Sequence, residues 1–118
     1  GAWLEALRRP CGPNPAYGLL WWLNGQRSMV GLGDGPSRGA VPTPRGMIPG
    51  APADALMAHG FGGQKLYASP RTGLVVARIA AAWAPSDSEP VSASFDDPLW
   101  ARLLEACPTA LRTAAAAA

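Results

Sequence analysis

Apolar and polar positions divide the chain into short, differently patterned blocks. In residues 2–9, Trp3, Leu4 and Leu7 recur at helical spacing, Arg8 and Arg9 follow in the last turn and Pro10 stands behind them, which predicts a short helix. After Cys11 to Pro15, broken by Gly and Pro, the run Tyr17 to Asn24 (YGLLWWLN) is apolar in both phases. It predicts a strand buried on both faces and closed by Asn24-Gly25. Gln26 to Gly50 has eight Gly and Pro between Gly31 and Gly46, and is expected to be an irregular surface flap. Ala51 to Ala58, with Pro52 near its start and Gly60 just past its end, predicts a second short helix.

The apolar runs Lys65 to Ser69 and Leu74 to Ala82 flank Pro70-Arg71-Thr72-Gly73, the strongest hairpin pattern in the chain. Asp97 and Pro98 then have the form of an N-cap and first helical residue. Leu99, Leu103 and Ala106 or Cys107 form an apolar stripe beside Trp100, predicting a C-terminal helix that packs on the hairpin and stops at Pro108. With antiparallel neighbours and no strand-helix-strand rhythm, the expected class is α+β, an antiparallel sheet with flanking helices.

Composition narrows the function classes. A chain of 118 residues makes one domain at most. The balance of 10 basic and 8 acidic residues gives a net charge of +2, and beyond Arg8-Arg9 the basic residues are scattered, so nucleic acid is not an expected partner. No apolar run is long enough to span a membrane, the longest stretch, Thr72 to Ala84, being interrupted by Arg78. The opening residues lack the form of a secretory leader, which leans towards the cytoplasm, although a processed chain would read the same way. Cys11 and Cys107 allow a single disulfide or two reduced thiols, and the reduced state is expected.

Most chemistries find too few groups. A metal site needs three or four convergent ligands, and one His with two distant Cys does not supply them, so no metal or other cofactor is expected. The run Gly31-Leu32-Gly33-Asp34-Gly35 continues into Pro36 instead of a helix, unlike a phosphate loop. Asp96-Asp97 precedes a helix-starting proline and is expected to cap the helix. The run His59 to Gln64 (HGFGGQ) is different, because its glycines stand at the start of a strand, where a backbone N–H can face a cleft and donate to a developing oxyanion. Tight sheet packing, with His59 capping the preceding helix, is the alternative.

The blocks YGLLWWLN, IPGAPADALMAHGFGGQ, KLYASPRTGLVVARI and FDDPLWARLLEAC, in that order, resemble the C-terminal portion of serine hydrolases of the β-lactamase and penicillin-binding-protein type, especially the class C-like esterase, peptidase and amide-hydrolase branch. The resemblance covers nearly the whole chain, from Trp3 to Cys107. It implies that residues 1–113 are an incomplete C-terminal segment of a β-lactamase-like fold, followed by an alanine tail at 114–118. Such enzymes take their nucleophile and base from a Ser-x-x-Lys helix, which is absent here: Lys65 is the only lysine and position 62 is Gly.

The implied partner is therefore the remainder of the hydrolase domain, carrying Ser-x-x-Lys. The present chain would supply an oxyanion and substrate wall from His59, Gly60, Phe61, Gly62, Gly63 and Gln64, with the oxyanion amide at Phe61 or Gly62. The family's Lys-Thr-Gly is not present as such, which favours a small ester or amide substrate over a β-lactam. Tyr67-Ala68-Ser69 imitates the family's Tyr motif in letters but stands downstream of the wall. Trp21, Trp22 and Met47 are candidates for an apolar acyl pocket or for sheet and helix core. A non-catalytic interaction module that keeps the hairpin and C-terminal helix is the reading from another class.

Overall fold

Strand pairing sets the architecture, because most of the apolar blocks are too short to be stable alone. The computed structural model describes residues 1–30, 39–60, 63–79 and 93–108. Within them the order is α1 (Ala2–Leu7), β1 (Trp22–Leu23), β2 (Ser28–Val30), β3 (Ala40–Pro42), β4 (Leu56–Gly60), β5 (Gln64–Ser69), β6 (Leu74–Arg78) and α2 (Ala93–Ala106). β1, β4, β5 and β6 form one antiparallel sheet in that order, and β2 and β3 pair separately. Two helices with antiparallel sheets make a small α+β protein.

Register decides which side chains share a face, since successive residues of a strand point to opposite sides. On the inner face Trp22, Met57, Tyr67 and Val76 lie in one row and His59, Lys65 and Arg78 in the next. α2 covers this face, with the Trp100 ring edge-on to Tyr67 at 5.6 Å between centroids. Trp22, Met47, Ile48, Met57, Tyr67 and Trp100 make up most of the core. On the outer face Leu23, Leu56, Ala68 and Val75 form one row and Ala58, Leu66 and Ala77 the next, with Leu23 and Leu56 buried at the β1 side. Leu66, Val75 and Ile79 stay exposed there, at 37, 71 and 89%.

The hairpin at 64–78 forms as the sequence predicts, with Gly73 at φ +71 in the turn. Asp54 braces that turn by accepting from Ser69 Oγ and Arg71 N. The first helix forms but ends at Leu7, with Arg8 as its C-cap, so Arg8 and Arg9 are not in its last turn as expected. Three expectations are corrected. Only Trp22–Leu23 of the long apolar run is strand. Residues 18–21 form a tight turn, Gly18 N donating to Trp21 O, with Leu20 at φ +66. Residues 51–58 turn and then enter β4 instead of a helix, because two flanking strands offer Leu56 and Met57 a ladder that local propensity does not register. The expected flap contains the β2–β3 pair, while residues 31–38 lie outside the described residues.

α2 starts at Ala93, four residues before the expected cap, so Asp96, Asp97 and Pro98 all lie inside it. The capping expectation fails because both carboxylates are used sideways, Asp96 on Lys65 and Asp97 on Gly50 N. Part of the expected second hairpin strand beyond Ile79, the segment up to α2 and the alanine tail lie outside the described residues. Cys11 and Cys107 are separate thiols.

Asn24 fixes the loop between β3 and β4. Its Nδ2 donates to the carbonyls of Ile48, Ala51 and Pro52 at 3.0, 3.2 and 3.1 Å, and its Oδ1 accepts from Ile48 N at 2.8 Å. Beside it Gly46 has φ +90, and a β-carbon there would press into the Asn24 carbonyl. Asn24→Ala strands several buried groups and is expected to cost about 3 kcal/mol in urea unfolding. A loss below about 1 kcal/mol would mean that the loop stands without this side chain.

Candidate functional site

β4 emerges from the core as it runs towards its glycines. Leu56 and Met57 are buried, Ala58 and His59 half-buried and Gly60 exposed. Gly60 pairs with Gln64 and His59 with Lys65, so residues 61–63 join two paired strands. The glycine run therefore belongs to a strand-to-strand connection, not simply to the start of a strand, and Gly63 at φ +78 adopts a conformation that other residues rarely take. His59, Gly60, Gly63 and Gln64 are thus brought together at one end of the sheet. Phe61 and Gly62, the expected oxyanion positions, lie outside the described residues. An open depression of about 450 Å³ adjoins this end, lined by Ala58, His59, Gly60, Leu66, Ala77 and Ile79 among others.

The second candidate group is not assembled there. Trp22 and Met47 are buried in the core, and Trp21 is half-buried outside that cluster. The Trp22 ring reaches the His59 imidazole at 6.5 Å and the Tyr17 ring at 4.9 Å, so it packs behind the wall.

Lys65, Tyr67 and Asp96, which the sequence reading leaves without a place in the site, form a buried cluster behind it. Lys65 Nζ pairs with Asp96 Oδ2, and their side chains are 5 and 0% exposed. Asp96 Oδ1, Tyr67 Oη and Trp100 Nε1 are buried with no partner in hydrogen-bond geometry among the described residues. Burial, and then the nearby Asp96 carboxylate, push the Tyr67 phenol far above its ordinary range, Arg78 opposing them weakly. A sequence signal did exist. Lys65 occupies the inward phase of β5 with Tyr67, and Asp96 stands four residues before Trp100 on the covered side of α2. One misplaced charge in each element is the signature of a pair between them.

Chemically, this end of the sheet offers a half-buried imidazole, glycine backbone and a lysine paired with a carboxylate. Among the described residues no group of three or more His, Cys, Asp or Glu could hold a metal, and no helix is long and apolar enough to cross a membrane. No family model matches the chain, and neither a curated protein nor a solved structure matches it.

Two outcomes follow for the buried cluster. Removing Asp96 alone leaves an uncompensated ammonium, so Asp96→Ala is expected to cost roughly 3 to 5 kcal/mol. Replacing both partners, as in Lys65→Met with Asp96→Leu, should leave stability within about 1 kcal/mol of wild type or above it. Chemical denaturation of both variants measures the difference, and equal losses would contradict it. The raised Tyr67 phenol favours the folded state as long as it stays neutral. In the unfolded chain it ionises near its ordinary value of about 10, so its contribution is complete below that pH and falls as pH rises above it. Tyr67→Phe is expected to flatten the alkaline limb of a stability-pH curve. An unchanged limb would rule this origin out.

Proposed function

We propose that the chain is the C-terminal segment of a β-lactamase-related serine hydrolase domain, acting on esters or small amides by acyl transfer. In this reading residues 59–64 form the oxyanion and substrate wall, and the nucleophile comes from a Ser-x-x-Lys helix elsewhere in the domain. The carrying observation is the asymmetry of the four-stranded sheet. Its inner face is packed under α2, while its outer face, buried at Leu23 and Leu56, leaves Leu66, Val75 and Ile79 exposed towards β6 among the described residues. An exposed apolar patch of this kind suits packing against a second layer. The wall lies beside that patch, and the depression next to Gly60 is where a substrate held between the two layers would sit.

A second reading, a non-catalytic interaction module, is favoured by the turn at 18–21. Leu19 and Leu20 are exposed at 46 and 77%, and Leu20 holds a positive φ. An exposed leucine in that conformation is costly unless something binds it.

A fluorophosphonate probe separates the two. The pure 118-residue chain is expected to take up none. The protein that carries this sequence in its natural source, purified without denaturation, is expected to be labelled once, at the serine of a Ser-x-x-Lys helix outside these residues. Labelling of a serine within the chain, or no labelling of the natural protein, overturns the hydrolase reading.

A further inference from the structure

Packing thins along β4 and β5, the His59 ring still standing edge-on to Tyr67 at 6.1 Å and near Trp22 at 6.5 Å before Gly60 emerges. Met57, Tyr67 and Trp100 are fully buried and interlock, Trp100 and Tyr67 through an edge-on ring contact. One row further along lie His59, Lys65 and Arg78, and beyond it Gly60 is exposed. Glycines at 60 and 63 add no side-chain packing to hold this end. Asp96 reaches it from α2, pairing with Lys65, the cross-strand partner of His59. A buried ion pair tolerates little change of distance or direction, whereas apolar contacts tolerate sliding.

We infer that the Lys65–Asp96 pair is a positioning device for the His59–Gly60 wall, setting its direction relative to α2, which the ring contacts of His59 with Tyr67 and Trp22 alone do not set. The claim rests on the hydrolase reading for its purpose, since a wall that donates to an oxyanion must be placed to within a fraction of an ångström. Lys65 and Asp96 are positioning residues here and need not touch substrate. The same pair explains why α2 places a carboxylate in its covered stripe, at a cost in desolvation that an apolar residue would avoid.

His59 is the single histidine of the chain, so its imidazole resonances report on the wall without assignment ambiguity. In the wild-type chain one sharp set is expected. In Lys65→Met with Asp96→Leu, circular dichroism and thermal midpoint should stay near wild type while the His59 set splits or broadens. The same double substitution in the natural protein should slow fluorophosphonate labelling roughly tenfold or more. A folded double variant with one sharp, wild-type-like His59 set overturns the inference. Should that variant fail to fold, Lys65→Arg decides. It keeps both charges while changing the length and direction of the pair, and heterogeneous His59 signals support positioning while an unchanged set refutes it. The resonance readout does not depend on any serine. Loss of labelling in the natural wild-type protein would sink the hydrolase reading alone, and an unperturbed His59 would sink the positioning claim alone.

Discussion

The buried contact between Lys65 and Asp96 fixes how the C-terminal helix lies on the sheet. Around it gather Tyr67, whose phenol is kept neutral by burial and by the same carboxylate, and Trp100, which packs edge-on against the Tyr67 ring. Asp97, the next residue, accepts from Gly50 N in the loop that Asn24 organises, so two adjacent carboxylates tie α2 to β5 and to the β3–β4 loop at once. Charge here supplies direction, and the neighbouring aromatic rings supply most of the cohesion.

Packing under α2 gives the sheet its polarity. The inner face carries a core running from Trp22 through Met57 and Tyr67 to Trp100. The outer face is buried at Leu23 and Leu56 and exposes Leu66 and Val75 towards β6 among the described residues. Function is proposed at the boundary between the two, where β4 leaves the core and its last residues become backbone and imidazole. A wall of this kind stabilises charge on a substrate and needs a nucleophile from a different element, consistent with the lack of a Ser-x-x-Lys spacing in the sequence.

The 64–78 hairpin and the existence of α1 and α2 were legible because their signals are local: alternation around a Pro and Gly turn, and apolar stripes at helical spacing. YGLLWWLN misled because an apolar run carries no phase, and the turn that splits it rests on Leu20 holding a conformation usually left to glycine. The segment before His59 misled because its Pro and Gly imitate helix ends, while its conformation is decided by partners far along the chain, Trp22 on one side and Tyr67 on the other. Asp96-Asp97 was visible as a pair but assigned to capping, since a cap is a local explanation and Lys65 is 31 residues away. At the candidate site, the grouping of His59, Gly60, Gly63 and Gln64 was legible, and the buried cluster that backs it was not.

Native mass spectrometry of the protein bearing this sequence, taken from its natural source, tests the central claim most directly: the exposed outer patch at Leu66, Val75 and Ile79 packs against a second polypeptide layer. The account predicts that the sequence travels as part of a species well above 12.2 kDa, fused to or held by a polypeptide that contains a Ser-x-x-Lys helix. A species of 12.2 kDa alone, or an assembly made only of copies of it, would contradict the account.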